Sequence, residues 1–262
     1  MVFRAARPLE YCMWKTLFEN GGAEEFLTVL SSYQNADGGF GHNIEVNLWN
    51  PNSSPEVTAC ALDNIRRAGL DMPDKSHPIV TGVLKFLTSE QYLTADGWLC
   101  GLPSNLEYSH APWFGYDPQN EVFRILEPLL DFIFTYAEAD SAIYKKATSL
   151  KAKIQPEEPA AYDFSGYDPA KFEPWGLLPT NVVASPESAL YPAYKDVVDL
   201  ELDGIADRLA GMDELPVADY KDMWEDVRQV IGFYYWASCD VITQIEILKT
   251  FGRLEFKLPL PL

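Results

Sequence analysis

The chain is short of base, of histidine and of paired cysteine. Its 262 residues hold 20 Lys and Arg against 39 Asp and Glu, a formal charge of −19. Such a field repels nucleic acid and anionic membranes, so neither is expected as a partner. It also gives no general help to a diphosphate. The four cysteines, Cys12, Cys60, Cys100 and Cys239, include no Cys-x-x-Cys pair and read as reduced thiols. Only three histidines occur. No apolar run reaches the ~18 residues that span a bilayer, and the stretch Met1–Pro8 lacks the apolar core of a secretion signal. A cytoplasmic location without membrane insertion is therefore expected. No Gly-x-Ser-x-Gly elbow, P-loop or dinucleotide fingerprint is present, and no cofactor is expected.

What the chain does have is apolar and aromatic residues. The apolar fraction is 47 %, with 7 Trp, 14 Tyr and 14 Phe. That suits a large core or an aromatic-lined cavity. Apolar spacing predicts helices over 8–20, 23–33, 55–69 and from Pro78 onward, with Ser54 and Pro55 as a start signal. Further helices are expected over 119–137, kinked or split at Pro128, and over 140–153, 194–212, 221–233 and 239–251. The segment 155–192 is rich in proline and aromatics and reads as ordered but irregular. With no linker and no strand-like alternation, the chain reads as a single all-α domain.

The helices are punctuated by Gln34–Gly41, which carries Gln-x-x-Asp-Gly-Gly-Phe, and by a looser copy at Gln91–Trp98 with one glycine fewer. A helix pair and its loop separate Asp37 from Asp96, so the chain contains an internal repeat of a helical hairpin. Such units bury their apolar faces only by stacking. This pattern resembles the repeat signature of the terpenoid cyclase and protein prenyltransferase superfamily. The blocks Asp37–Glu45, Pro51–Pro55, Thr58–Leu62, His110–Trp113, Trp175–Pro179 and Thr243–Glu255 look like an uncharacterised branch of it. The resemblance implies an α/α-toroid of about five to six helix pairs. The chain departs from the superfamily's chemistry: it has neither Asp-x-Asp-Asp nor Asp-Asp-x-x-Asp, and Cys239-Asp240 lacks the histidine of the prenyltransferase zinc set. A third glycine-rich repeat expected near 211–224 is replaced by Gly211–Pro216.

Several residues then invite two readings. Asp37 with its glycines serves most simply as a joint between hairpins. His42 and Glu45 can pair to position a general acid, or His42 can bond the backbone of its loop. His110 follows the second turn as His42 follows the first, so both are expected on one rim. Asp163 completes the set of candidate proton donors. Trp49, Trp98, Trp113, Tyr108, Phe40 and Trp175 are candidate cavity aromatics, able to hold an apolar substrate or a carbocation. Asp196, Asp199, Asp203 and Asp207 share a helix face that can bind magnesium or simply face water. No short histidine or cysteine spacing supports zinc, and no metal is expected. The leading expectation is a non-redox enzyme. It would carry out acid-assisted cyclisation or isomerisation of an isoprenoid-like or polyketide-like molecule in an aromatic cavity. The alternatives are a non-catalytic module binding an apolar ligand or a protein, and a diphosphate-dependent prenyltransferase.

Overall fold

The computed structural model describes residues 6–154, 162–170, 177–212 and 230–254. Two compact units divide the chain, one formed by 8–157 and the other by 1–7 with 158–262.

In the unit 8–157 the helices are α1 (Pro8–Phe18), α2 (Ala23–Ser31), α3 (Pro55–Arg67), α4 (Pro78–Thr88), α5 (Glu127–Tyr136) and α6 (Ala142–Lys151). Three of the starts carry a side-chain cap. Ser54 Oγ accepts from Val57 N–H and Pro55 opens α3, while Ser141 Oγ accepts from Tyr144 N–H at α6. His77 caps α4 through Nδ1, which accepts from Ile79 N–H at 3.2 Å. The expected stripe Val57, Ala61, Leu62 and Ile65 is buried, as are Val80, Val83 and Leu87 of α4. Helices α1 and α2 pack as a pair, α5 and α6 as another, with α3 against α5 and α4 against both α5 and α6.

Two expectations fail in this unit. Pro128 does not interrupt a helix; it sits in the first turn of α5, where its missing N–H costs nothing. Residues ahead of it form loop and strand. The second turn closes antiparallel, as the first does through its Gln34–Phe40 bridge, but it extends into a small sheet that an all-α reading does not expect. Here β1 (Leu93–Thr94) and β2 (Gly97–Leu99) pair antiparallel, and β2 pairs antiparallel with β3 (Phe123–Arg124). Gly97, at φ +127°, lets the strand pass Arg124, whose carbonyl oxygen would lie 2.4 Å from any Cβ.

The second unit holds α7 (Pro179–Val182), α8 (Tyr191–Ala210) and α9 (Val230–Thr250). Val183, Val198, Leu202, Ile205 and Leu248 form its buried cluster. Helix α9 runs unbroken where two helices are expected, and 221–229 lie outside the described residues. The aspartate stripe of α8 is engaged by cations: Arg253 donates to Asp199 at 2.9 Å and to Asp203 at 3.0 Å, and Lys195 also pairs with Asp199. Glu201, off that stripe, is buried and accepts from both Thr180 N–H and Thr180 Oγ at 2.8 Å. Burial pushes its carboxyl above the usual range, partly offset by those bonds. The described chain is thus mostly helical with one small sheet, and no described helix is long and apolar enough to cross a membrane.

Candidate functional site

Gln34–Gly41 works first as a joint. Asn35 N–H donates to Gly39 C=O at 2.8 Å and Gly38 N–H to Asn35 C=O at 2.9 Å, closing the turn. Gln34 Nε2 donates to Gly38 C=O within the turn and to Ile79 C=O of α4. Phe40 bridges both Gln34 and Ser54, and its N–H donates to Thr58 Oγ1 of α3 at 3.1 Å. The turn therefore ties the end of α2 to α3 and α4. Phe40 is fully buried. It belongs to the core, not to a cavity wall, and its burial stabilises by roughly 1.5–3 kcal/mol.

Over this joint runs a chain of side-chain hydrogen bonds. Asn35 Nδ2 donates to Pro51 C=O at 2.9 Å and to Ser53 Oγ at 3.0 Å. Those bonds orient the amide and leave Asn35 Oδ1 as acceptor for His42 Nε2, 2.9 Å away. His42 therefore carries its proton on Nε2 in this contact. Ser53 Oγ, accepting from Asn35, donates to Asp37 Oδ1 at 2.6 Å, and Gly39 N–H donates to the same oxygen at 3.0 Å. Every donor in the chain His42–Asn35–Ser53–Asp37 thus points toward one carboxylate. Oδ2 of Asp37 takes part in none of these bonds.

The two histidine loops meet. Leu48 pairs with His110 in an antiparallel bridge, flanked by Trp49 N–H to Ser109 C=O and Ala111 N–H to Asn47 C=O, each 2.9 Å. His110 Nδ1 donates to Tyr108 C=O at 2.8 Å, which leaves Nε2 as its acceptor. Behind this seam, Asn50 Nδ2 donates to Ser104 Oγ at 2.8 Å and Asn105 Oδ1 at 2.7 Å, while Asn105 Nδ2 reaches Phe114 C=O. A depression of about 510 Å³ opens beside the joint, walled by Asn35, Asp37, Asn52 and Ser53 from the first turn's loop. Gln91 and Tyr92 of the second turn and Ser104 complete it. Gln91 Nε2 donates to Tyr92 Oη at 3.0 Å. Burial, and then the nearby Asp37 charge, push the Tyr92 phenol upward, so it keeps its proton.

The remaining expected residues divide. Glu45, half-buried, accepts from Asn47 N–H at 3.2 Å. Trp49 and Tyr108 are half-buried along the seam, and Trp113 is 44 % exposed against Phe114. Trp98 is 2 % exposed within β2 and fills the core, as expected for a large ring on the inner face of a small sheet. Asp163 belongs to the other unit and is exposed; Ser165 donates to it and holds its carboxyl below the usual range, the wrong direction for a proton donor. Trp175 lies outside the described residues.

Sequence reasoning missed the carboxamides and hydroxyls. Asn35, Asn50, Asn52, Ser53 and Tyr92 build the depression and its backing, and the signal was the long polar loop between α2 and α3, which a compact domain keeps only for a reason. It also missed Glu56. Arg124 Nη1 donates to its Oε1 at 2.9 Å, and the Cys100 thiol lies beside the carboxyl. Burial raises the Glu56 carboxyl despite Arg124 and the thiol's hydrogen bond, and burial with the Glu56 charge pushes the Cys100 thiol up to about 12. Glu56 lines neither this depression nor the groove between α3 and α5. No group of three or more His, Cys, Asp or Glu able to hold a metal occurs among the described residues. No protein-family model, curated protein or solved structure matches the chain.

Proposed function

We propose that this chain is an enzyme of small-molecule metabolism that moves a proton on an oxygen-bearing substrate, without redox chemistry, at the depression between the two turns. The observation that carries the reading is the directed chain His42–Asn35–Ser53–Asp37, whose last three members line the depression together with Tyr92. A carboxylate whose Oδ1 is fixed by two donors presents Oδ2 as a base. A phenol that retains its proton is a donor for a carbonyl oxygen. Together they suit a 1,3-proton shift. On a β,γ-unsaturated carbonyl compound, Asp37 takes a proton from the carbon beside the carbonyl, Tyr92 hydrogen-bonds the developing dienolate oxygen, and the proton returns to the γ carbon as the double bond moves into conjugation. No electron leaves the substrate.

The wall's amides and hydroxyls favour a molecule bearing carbonyl and hydroxyl groups. Of the two expected classes, this selects the polyketide-like over the hydrocarbon isoprenoid. Asp37 thereby changes from candidate acid to base, and Tyr92 takes the donor's place. The α/α-toroid implied by the repeat is the architecture we place this chemistry in, supported by the turn's work as a joint between successive helices.

The test works on an unidentified substrate. Protein incubated in D₂O with metabolite extract should add one solvent deuteron to an oxygenated metabolite. Asp37→Asn keeps an oxygen for Gly39 N–H and Ser53 Oγ, so the turn survives while the base is lost, and exchange should fall ~10²-fold or more. Exchange at the wild-type rate in the Asn variant, or none in the wild type, would sink the proposal.

A further inference from the structure

A second depression, of about 500 Å³, lies between α3 and α5 and is independent of the turn junction. Its floor is apolar, built by Leu62, Leu70, Met72, Phe132 and Tyr136. The Phe132 and Tyr136 rings stand side by side, centroids 4.8 Å apart. The Tyr136 hydroxyl is turned away, donating to Pro73 C=O at 2.6 Å, which leaves the ring rather than the hydroxyl for a ligand. The rim is dominated by one sign of charge. Asp63, Asp71, Glu127 and Asp131 line it, against one cation, Arg66. Arg66 is held by Asp63 at 2.7 Å, and Glu127 by Lys151 at 2.9 Å. Lys151 also feels the Asp131 charge. Neither Asp71 nor Asp131 forms an ion pair among the described residues, and both are exposed.

We infer that this groove binds a small amphipathic cation, an organic ammonium with an apolar body. Three features converge on that class. The volume matches one small-molecule ligand. The floor takes an apolar body, bordered by the largely buried Phe132 and Tyr136 rings. The rim's surplus carboxylates complement a positive head and repel an anionic one, in a chain whose overall charge of −19 works in the same direction. A hydrocarbon would use the floor and gain nothing from the rim; a fatty acid or diphosphate would meet repulsion there.

The probe is 4-phenylbutylammonium, titrated into the full chain by calorimetry and followed at the Met72 methyl by NMR, assigned through Met72→Leu. It should bind in the groove, roughly 10-fold tighter than the neutral 4-phenylbutanol, with 4-phenylbutyrate weakest. Raising salt should weaken the ammonium and not the alcohol. The double variant Asp71→Asn and Asp131→Asn, both on the surface, should fold normally and bind ammonium and alcohol alike. Equal binding of the three probes to the wild type overturns the inference. So does ammonium binding that leaves the Met72 methyl unmoved, or that the double variant does not weaken. A basic amphipathic peptide that shifts Met72 while the ammonium does not would also overturn it, in favour of a protein partner.

Discussion

Replacing Gly38 by alanine should break the joint on which the unit 8–157 is assembled. Gly38 has φ +96°, where an alanine is strained by about 1–2 kcal/mol. Its added Cβ would lie 1.9 Å from the carbonyl oxygen of Gly82, 2.4 Å from the carbon and 2.8 Å from Cα, all backbone of α4. Backbone cannot rotate aside, so turn and helix must separate by more than an ångström. That separation removes the Gln34 bond to Ile79, at ~1 kcal/mol. The sum is about 2–3 kcal/mol, or roughly 8 °C of melting temperature for a unit of this size. Gly82→Ala supplies the contrast. Its Cβ meets only the tip of Gln34, at 2.4 Å from Nε2. The Gln34 side chain can move away, losing its two bonds at ~1 kcal/mol each, while alanine gains about 1 kcal/mol in a helix interior. The net cost should be about 1 kcal/mol. Gly166→Ala, with nothing within 4 Å of its Cβ, should stay within about 0.5 kcal/mol. Thermal melts of the three variants decide it. Equal melting temperatures for Gly38→Ala and Gly82→Ala would refute the joint.

Two further outcomes follow from the same geometry. The Glu56 carboxyl titrates above its ordinary 4.5 in the fold, because burial outweighs Arg124. Between that ordinary value and the raised one, the folded chain binds a proton that the unfolded chain does not. Glu56 therefore costs stability at neutral pH, and the cost is relieved as pH falls through this window. The difference in unfolding free energy between wild type and Glu56→Gln, measured by denaturant titration across about pH 4.5–7, should change with pH; parallel curves would reject the buried charge. His42 sits at φ +56°, so His42→Gly relieves strain while losing one exposed bond to Asn35. Stability should shift by less than ~1 kcal/mol, while deuterium exchange at the proposed site falls; unchanged exchange would remove His42 from the mechanism.

Helix positions were legible because the period is local. Ser54-Pro55, Pro78 and the buried stripes of α3 and α4 each follow from residues within a turn or two of one another, whereas the cap that His77 supplies was not legible. The second turn resisted reading because Gln-x-x-x-x-Asp-Gly-Trp keeps the letters of the first turn but not its second glycine. The sheet it enters depends on Phe123–Arg124, a partner distant in sequence. The site was legible in outline only. Proximity of the His42 and His110 loops follows from their parallel places after the turns. The Leu48–His110 bridge that joins them depends on backbone pairing no side-chain pattern announces. Burial misled in both directions. Phe40 and Trp98, read as cavity walls, fill the core, while Glu56, which has the place of an ordinary first-turn acid, is only 10 % exposed at its side chain.

A structural account of the first turn is nearly complete, and what it omits bears on function. Closing the turn requires the glycines, the backbone bonds of Asn35 and the Gly39 N–H on Asp37; docking it requires Gln34, Phe40 and Thr58. None of that calls for His42. Yet His42 and Asn43 both hold positive φ, at +56° and +62°, a conformation that costs of order 1 kcal/mol or more for a non-glycine residue. That strain places the imidazole Nε2 on Asn35, whose other bonds run through Ser53 to Asp37. A loop serving packing alone would relax by placing glycine there. The chain instead keeps one of its three histidines in the strained place, at the head of a hydrogen-bond line ending on a carboxylate that borders open space. The strained backbone also holds its loop, His42 N–H donating to Asn50 C=O at 3.2 Å; the imidazole's place at the head of that line, beside a polar depression built by both turns, is the physical reason to read this joint as a site and not only as a hinge between helices.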